Sequence, residues 1–370
     1  MKIVYLYPAL AVWGGVERIL VDKMNYLVRH YDYEVYIITS DQGQHVIPYD
    51  LDNKVHFMDL NIRFHQRYHY KWWHRPIIYR QLSQRYHALL KERLQTIQPE
   101  VLVCTSNQDM RPLLKVKGSV PLVVESHVNF SHPDTLYHRI QNRLNNYWIS
   151  KAETLVTLTD GDAGNWCKVS GYVHVIPNVV NLNDLDQYSD CTAKRVLFVG
   201  RFEEQKSIDE LFSIWQLIHP RFPDWQLDLY GEGFLWNHFK QEADNLDINI
   251  KVHEPTRQIM DVYRSSSVLV LTSLYEPFGL VIPEAMSCGL PVVSYDSPYG
   301  PASIISDGKD GFVVPLHARQ AFVNRLCQLM GDEELRKEMG KQAIISSQRF
   351  SADKIMPMWK ELFEKLASLS

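Results

Sequence analysis

Two carboxylates in the second half of the chain stand at a spacing that suits a polar ligand. Glu276 and Glu284 have seven residues between them, within the stretch 273–293, SLYEPFGLVIPEAMSCGLPVV. Carboxylates accept hydrogen bonds from hydroxyl groups, so two of them at this spacing can bind hydroxyls at opposite ends of one ligand. Backbone amides that precede a helix bind anions. A nucleotide-sugar, with ribose, diphosphate and sugar in a row, has this layout.

The predicted secondary structure places both glutamates at one edge of a sheet. Apolar, β-branched runs at 268–272 and 292–296 predict two buried strands. Between them, PEAMSC predicts a short helix with Pro283 near its first turn, where a missing N–H is harmless. The loop that contains Glu276 therefore follows the carboxyl end of a strand, which is where open parallel sheets bind ligands.

This stretch resembles the E-x7-E signature of retaining glycosyltransferases of family 4, which have the two-domain GT-B fold. The resemblance implies that Glu276 contacts the donor sugar, that Glu284 binds the ribose and that loop amides bind the diphosphate. The family more often has Gly at the position of Pro277. The alternative is that two surface glutamates flank a turn by chance. That would explain the pair of glutamates but not the sequence of the whole stretch. The loop residues implied in donor binding are Phe278, Gly279, Leu280 and Val281.

Two cations follow a predicted strand, RVLFVG, at the start of the second half. Arg201 can bind a phosphate through two parallel hydrogen bonds, and Lys206 supplies a compact charge. An ordinary pair of surface cations is the alternative. The segment G-R-x-x-x-x-K before a helix resembles the phosphate-binding element of the family, so both residues are implied in donor binding and catalysis.

The first half contributes candidates at two predicted strand ends. Gly15 lies in a strand-to-helix turn, where glycine lets the backbone approach a ligand, and His127 ends the strand VPLVVESH. A lone histidine is more often structural. The resemblance implies that Gly15 approaches the donor phosphate and that His127 contacts donor sugar hydroxyls. It also implies that the catalytic residues are His127, Arg201, Lys206 and Glu276. Residues that could line an acceptor site are Asn107, Asp109, Glu125 and Asn129.

The identity of the base is the weakest part of the pattern. Family members hold the base partly through the backbone of a Val-x-Phe-x-Gly loop, and residues 252–255, Val-His-Glu-Pro, depart from it. We include Glu254 among the donor-binding residues and expect a UDP-sugar, while the sequence does not identify the sugar or the acceptor.

The length of the chain predicts two domains. Its 370 residues exceed what one apolar core usually fills. We expect an α/β protein with two Rossmann-like domains facing across a cleft: residues 1–178 on the acceptor side, residues 179–350 for the nucleotide-sugar, and a C-terminal helix at 351–370. The resemblance implies that this last helix crosses back onto the first domain.

Residues 63–93 have an unusual composition, with eight Lys or Arg and four His against one acid, interleaved with aromatic residues. This composition suits an anionic membrane surface or a lipid-linked acceptor. A solvated helix with inward aromatic residues, and a nucleic-acid contact, are the alternatives; we predict no nucleic-acid partner. The wider first half, 1–180, has a net charge of +4 and the remainder −8.

Several classes of protein are disfavoured. No apolar run reaches the roughly twenty residues that span a bilayer, and the N-terminus is better explained as a first strand than as a signal peptide. Five scattered cysteines suit a reducing cytoplasm, and a peripheral place on the inner face of the plasma membrane fits residues 63–93. A G-x-G-x-x-G fingerprint is absent, which disfavours a dehydrogenase. Three D-x-D patterns, at 50–52, 160–162 and 184–186, lack a convincing strand-end context, so we expect no metal and no cofactor.

These observations favour a retaining hexosyltransferase that transfers a sugar from a nucleoside diphosphate to an acceptor hydroxyl, on a lipid-linked glycan or a surface polysaccharide. A sugar-nucleotide epimerase or hydrolase would use the same donor residues without an acceptor. A catalytically silent subunit of a glycosyltransferase pair is the non-enzymatic alternative, disfavoured because Arg201, Lys206, Glu276 and Glu284 are all present.

Overall fold

A computed structural model describes residues 1–106, 110–128, 130, 136–180 and 187–368. The chain forms two compact units: Met1–Val179 together with Ile355–Ser370, and Val180–Lys354. None of the helices within the described ranges has both the length and the apolar character needed to cross a bilayer.

The first unit is built on a parallel sheet, and its described strands follow the order β3-β2-β1-β4-β5-β6-β7. The strands are β1 (Lys2–Tyr7), β2 (Glu34–Thr39), β3 (His56–Asp59), β4 (Val101–Thr105), β5 (Leu122–Glu125), β6 (Thr154–Thr157) and β7 (Val173–Val175). The helices are α1 (Gly15–His30), α2 (Arg75–Ile97), α3 (Met110–Val116), α4 (Leu136–Ile149), α5 (Asp160–Trp166) and α13 (Ala352–Ala367), with a 3-10 turn at Phe64–His69.

The second unit repeats the pattern, with the strand order β10-β9-β8-β11-β12-β13 in the part of the chain that is described. Its strands are β8 (Arg195–Val199), β9 (Gln226–Tyr230), β10 (Ile250–His253), β11 (Val268–Leu271), β12 (Val292–Tyr295) and β13 (Gly311–Val314). Its helices are α6 (Ile208–Ile218), α7 (Trp236–Asn245), α8 (Ile259–Arg264), α9 (Val281–Ser287), α10 (Pro301–Ile304), α11 (Arg319–Gly331) and α12 (Glu333–Ser347), with 3-10 turns at Glu204–Lys206, His219–Arg221 and Gln348–Phe350.

Both sheets owe their form to short apolar strands covered by helices. The four residues of β11, VLVL, are all buried, as expected for a strand in the middle of a parallel sheet. In α6 the apolar face buries Phe212 and Trp215 within the core of the second unit. The predicted α/β class with two parallel sheets is therefore confirmed.

Each sheet has a switch point beside its first strand. In the first sheet β1 lies between β2 and β4, and in the second sheet β8 lies between β9 and β11. The chain thus continues on one side of the first strand and later returns on its other side. Loops diverge there at the carboxyl ends of the strands and leave room for a ligand. The loops after β1, β8 and β11 contain most of the predicted site residues.

Candidate functional site

Close backbone contacts fix the loop that begins with Arg201. Gly231 has a φ of +154°, and a Cβ atom there would lie 1.9 Å from the carbonyl oxygen of Gly200. Phe202 N–H donates a hydrogen bond of 2.8 Å to the carbonyl oxygen of Glu232. Glycine is required at position 231 because the loops after β8 and β9 meet backbone to backbone.

Hydrogen bonds join the loop after β8 to the loop after β11. Leu274 N–H donates to the carbonyl oxygen of Gln205 at 2.8 Å. The hydroxyl of Thr272 lies 3.0 Å from the carbonyl oxygens of Lys206 and Ser207. These contacts place Lys206 beside the loop that contains Glu276, although the two residues are far apart in the chain.

Lys206 and Glu276 form a largely buried ion pair. The ammonium group of Lys206 donates to Oε1 of Glu276, and the hydroxyl of Ser273 donates to the same oxygen at 2.8 Å. The side chains of Lys206 and Glu276 are 13% and 6% exposed. Arg201 differs, because its side chain is 62% exposed and pairs with Glu203 at 3.0 Å.

The segment that follows Glu276 presents backbone amides. Gly279 has a φ of +85°, and α9 begins two residues later. Among the described residues, the N–H groups of Phe278, Gly279, Leu280 and Val281 donate no hydrogen bond to the protein. Four amides of this kind in sequence are a suitable group for an anionic ligand.

Gly300 supports this segment from the other side. The N–H groups of Tyr299 and Gly300 both donate to the carbonyl oxygen of Glu276 at 2.9 Å. A Cβ atom on Gly300 would lie 2.2 Å from the carbonyl oxygen of Phe278. The close approach of the two backbones thus fixes both Glu276 and the amides after it.

Glu284 lies in the first turn of α9 and is buried. The hydroxyl of Tyr263, on α8, donates to its Oε2 atom at 3.1 Å. Because Tyr263 is fully buried, its hydroxyl fixes the orientation of the carboxylate.

Glu254 occupies a separate loop after β10, where it is exposed. The neighbouring His253 stacks on Tyr230 with ring centroids 4.3 Å apart, and its Nε2 atom lies 2.6 Å from Oδ1 of Asp228. Within the described ranges Glu254 forms no hydrogen bond with Arg201, Lys206 or Glu276, so its role in donor binding stays a prediction.

In the first unit, Gly15 begins α1 directly after the loop that follows β1. The hydroxyl of Tyr49 donates to the carbonyl oxygen of Gly14 at 3.0 Å. His127 follows β5, and its Nε2 atom lies 3.1 Å from Oε2 of Glu125. The other carboxylate oxygen of Glu125 accepts a bond of 2.5 Å from Lys23. Asn107, Asp109 and Asn129 lie outside the described residues.

One aspartate in each of the two described D-x-D patterns forms contacts within the protein. Asp52 pairs with Arg29 at 2.6 Å, and Asp162 accepts hydrogen bonds from Phe130 N–H and the Trp166 indole, both at 3.0 Å. The pattern at 184–186 lies outside the described residues. Elsewhere, on α6 and α7, one group of ligand-type atoms lies within 4.8 Å, on Asp209, His238 and Glu242. A His–Glu pair one turn apart is common on an exposed helix surface.

Comparison with known proteins assigns both halves of the chain. Residues 13–184 match the model of Glycosyltransferase Family 4, and residues 187–345 match that of Glycosyl transferases group 1. The chain is a family 4 glycosyltransferase with the GT-B fold.

Relatives of this glycosyltransferase cover different parts of it. It is 32% identical over 227 residues to the amylovoran biosynthesis glycosyltransferase AmsD of Erwinia amylovora, with 57% of this chain and 62% of the relative covered. The chain thus spans less than two thirds of that relative. It is 25% identical over 370 residues to an uncharacterized glycosyltransferase of Haemophilus influenzae, with 97% and 99% covered. Staphylococcus aureus TarM, solved with Fondaparinux, alpha-GlcNAc-glycerol and UDP, has the same fold, with a TM-score of 0.79, 16% identity, and 98% and 99% of the two chains covered.

Three partners of the predicted site residues were not identified from the sequence. Ser273 and Tyr263 bind the two signature glutamates, and Lys23 pairs with Glu125. Ser273 lies three residues before Glu276, a local spacing that could have indicated it. Tyr263 and Lys23 lie on separate helices, so only the fold brings them to their partners.

Proposed function

We propose that this chain transfers a sugar from a UDP-sugar to a hydroxyl group of a glycan, with retention of the anomeric configuration. The main support is the pair of anchored carboxylates in the second unit. Glu276 is held by Lys206 and Ser273, and Glu284 by Tyr263, with four available amides in the segment between them.

Each group has an assigned role toward the donor. The loop amides and the two cations, Arg201 and Lys206, bind the diphosphate, where their positive charge complements the phosphates. Glu276 accepts hydrogen bonds from sugar hydroxyls and Glu284 from those of the ribose. Exposed Glu254 is assigned to the base side of the same donor.

The transfer step needs stabilisation of the leaving group. The bond between the anomeric carbon and the diphosphate oxygen breaks, and a bond from the acceptor oxygen forms on the same face of the sugar. The acceptor proton passes to the departing phosphate oxygen, so no protein base is required. Negative charge develops on the diphosphate, and Arg201, Lys206 and the amides stabilise it. These groups supply the charge that a metal ion would otherwise provide.

The first unit is assigned to the acceptor. Two of its residues are also assigned to the donor. Gly15 contributes backbone at the start of α1, and His127 contacts a hydroxyl of the donor sugar. A lipid-linked or surface-polysaccharide acceptor is supported by the amylovoran biosynthesis enzyme and by TarM with its glycan ligands. UDP in the TarM structure supports a UDP-sugar as donor.

The first unit also has a surface that suits the inner face of an anionic membrane. In residues 63–93, Trp72 and Trp73 are 73% and 50% exposed. Lys71 Nζ lies 5.2 Å from the Trp73 ring, and the Arg67 guanidinium lies 4.8 Å from the Tyr68 ring. Helix α2 fully buries residues only toward its C-terminal end, Leu90, Leu94 and Ile97. Leu82, Tyr86 and Leu89 pack partly against the core, whereas Ile77 is exposed on the outer face.

Helix α4 adds a second face with the same chemistry. Ile140, Leu144 and Tyr147 are exposed, at helical spacing, beside exposed Arg139 and Arg143. Apolar side chains between arginines fit the boundary between headgroups and acyl chains. This face supports peripheral binding of the first unit to an anionic bilayer.

Vesicle flotation tests the membrane contact. We expect the wild-type chain to float with vesicles of phosphatidylglycerol and phosphatidylcholine at low salt, and W72A/W73A and R139Q/R143Q to lose most of that binding. The matched control is I345A, an exposed apolar residue of α12 in the second unit. Equal flotation of all four proteins, or none by the wild type, would contradict a membrane role.

The proposed reaction is tested by UDP release. The wild-type chain, incubated with UDP-glucose, UDP-galactose or UDP-N-acetylglucosamine, should release UDP when an extracted lipid-linked glycan fraction is added, and the labelled sugar should appear in that fraction. Release of free sugar or an epimer from the donor alone would indicate a hydrolase or an epimerase instead. UDP binding without any turnover would indicate a silent subunit.

A further inference from the structure

A chain of three buried polar side chains crosses the first unit from α1 to the end of β5. Lys23 donates to Oε1 of Glu125 at 2.5 Å, and His127 Nε2 lies 3.1 Å from Oε2 of the same carboxylate. The side chains of Lys23, Glu125 and His127 are 1%, 3% and 5% exposed. Each oxygen of the carboxylate is thus engaged by one partner.

The surroundings of this chain are apolar and aromatic. Lys23 Nζ lies 3.8 Å from the ring centroid of Trp359, on α13, and 5.5 Å from that of Tyr5, on β1. The Tyr5 hydroxyl is buried and has no hydrogen-bond partner among the described residues. An isolated charge is strongly unfavourable in such surroundings. Even a buried ion pair is often no more stable than apolar side chains of similar volume, so the Lys23–Glu125 pair is weak evidence for a purely stabilising role.

The pairing keeps Glu125 ionised despite its burial. Burial acts to raise the pKa of this carboxyl, but Lys23 and then His127 outweigh that effect and hold the pKa below its usual range. Burial first, and then the charge of Glu125, raises the pKa of Tyr5 and Cys104, so both are neutral at pH 7. Burial lowers the pKa of Lys23, and the charge of Glu125 and its hydrogen bond act in the opposite direction.

We propose that Glu125 and Lys23 are positioning residues that fix the tautomer and the orientation of the His127 imidazole. The ionised carboxylate accepts the Nε2–H of the imidazole, which leaves Nδ1 as a hydrogen-bond acceptor. No partner for Nδ1 is found among the described residues. Lys23 binds the other oxygen of the carboxylate and so holds it in place beside the imidazole.

This inference rests on the proposed function, because the acceptor atom is assigned to a hydroxyl of the donor sugar. An imidazole with the Nε2–H tautomer accepts a bond from that hydroxyl at Nδ1, whereas the other tautomer presents an N–H at that position. The Lys23–Glu125 pair therefore has a use that a purely structural ion pair lacks.

Two double variants separate positioning from folding. K23M/E125Q removes both charges and keeps a carbonyl oxygen for His127, whereas K23M/E125L removes the oxygen as well. Replacing both members of a buried pair leaves no unpaired charge, so both proteins should fold. Because a misplaced group can lower a rate by about 100-fold, we expect kcat for K23M/E125L to be ~10- to 100-fold below that of K23M/E125Q, with similar UDP binding.

Nitrogen NMR of the histidine rings gives a readout that does not depend on turnover. The His127 signals, assigned by their loss in H127N, should show the Nε2–H tautomer in the wild type and in K23M/E125Q. They should show a mixture of tautomers in K23M/E125L. The Nδ1–H tautomer in the wild type, or equal kcat values for the two double variants, would overturn the proposal. Absence of sugar transfer by the wild type would instead refute the proposed function and leave the tautomer result standing.

Discussion

Lys206 donates a hydrogen bond to Glu276, from the loop after β8 to the loop after β11. The predicted phosphate-binding cation is therefore paired with the carboxylate predicted to bind the sugar. A donor that binds both groups has to exchange this internal bond for two new ones. The pair keeps both side chains in place before the donor arrives.

Loss of the cations should affect the transition state most strongly. Groups that stabilise a developing anion contribute about 100- to 1,000-fold to kcat, so R201A and K206A should each lower kcat/KM by that order. The matched control is K309A, an exposed lysine of the same unit. Steady-state kinetics of UDP release with donor and acceptor fraction measures the effect. Wild-type turnover by both R201A and K206A would show that the leaving group is bound elsewhere.

The Tyr263 hydroxyl should matter for donor binding rather than for the chemical step. Y263F removes the 3.1 Å bond to Glu284, and the loss of a hydrogen bond to a charged group is worth about 1.5–3 kcal/mol. We expect UDP affinity, measured by calorimetry, to fall about tenfold or more with kcat little changed. Y275F, at an exposed tyrosine of the same loop region, is the control. An unchanged Kd for Y263F would contradict the role assigned to Glu284.

Gly300 provides a test of the loop geometry alone. In G300A the new methyl group would meet the carbonyl oxygen of Phe278 at 2.2 Å, so the segment with Glu276 and the amides has to move. A displacement of about 1 Å can lower a rate ~100-fold, and we expect kcat/KM to fall by at least tenfold. G171A is the control, since nothing lies within 4 Å of a Cβ atom there. Equal activity of the two variants would show that the position of these amides is unimportant.

Removal of divalent metal ions should leave the reaction intact. Arg201, Lys206 and the loop amides are proposed to neutralise the diphosphate, a role that Mg²⁺ plays in other transferases. After dialysis against EDTA we expect at least half of the sugar transfer rate to remain. A loss of more than tenfold that Mg²⁺ or Mn²⁺ restores would contradict this part of the mechanism.

Thiol alkylation tests the packing of both units. Burial raises the pKa of the Cys288 thiol to about 11, and burial also raises that of Cys104, Cys191 and Cys327, whereas Cys167 is exposed. Only the thiolate reacts, and its fraction falls about tenfold for each unit by which the pKa exceeds the pH. At pH 8 iodoacetamide should modify Cys167 in the native protein and all five cysteines in urea, as counted by mass spectrometry. Rapid native modification of Cys288 would contradict the packing of α9.

Local patterns were enough to predict the class of fold and the motif residues. Strand runs such as VLVL and the spacing from Glu276 to Glu284 are properties of neighbouring residues, and the parallel sheets that they predict are present. Tertiary partners were not predictable in the same way. Tyr263 reaches Glu284 from α8, and Lys23 reaches Glu125 from α1, because helix packing sets which side chains meet.

The bounds of the elements show the same limit. Residues 252–255 were compared with a base-binding loop of the family, and the first two of them belong to β10, at Ile250–His253. Glu254 thus falls in a loop, where no regular hydrogen-bond pattern constrains it. The pairing of Lys206 with Glu276 was also not foreseen, since both were predicted as ligands for different parts of a donor.

A crystal structure of the chain with UDP tests the central claim most directly. We predict that the diphosphate lies within hydrogen-bond distance of Arg201, Lys206 and at least two amides of residues 278–281, with the ribose hydroxyls on Glu284. Density for UDP at any other place, with these groups unengaged, would contradict the assignment of the donor site.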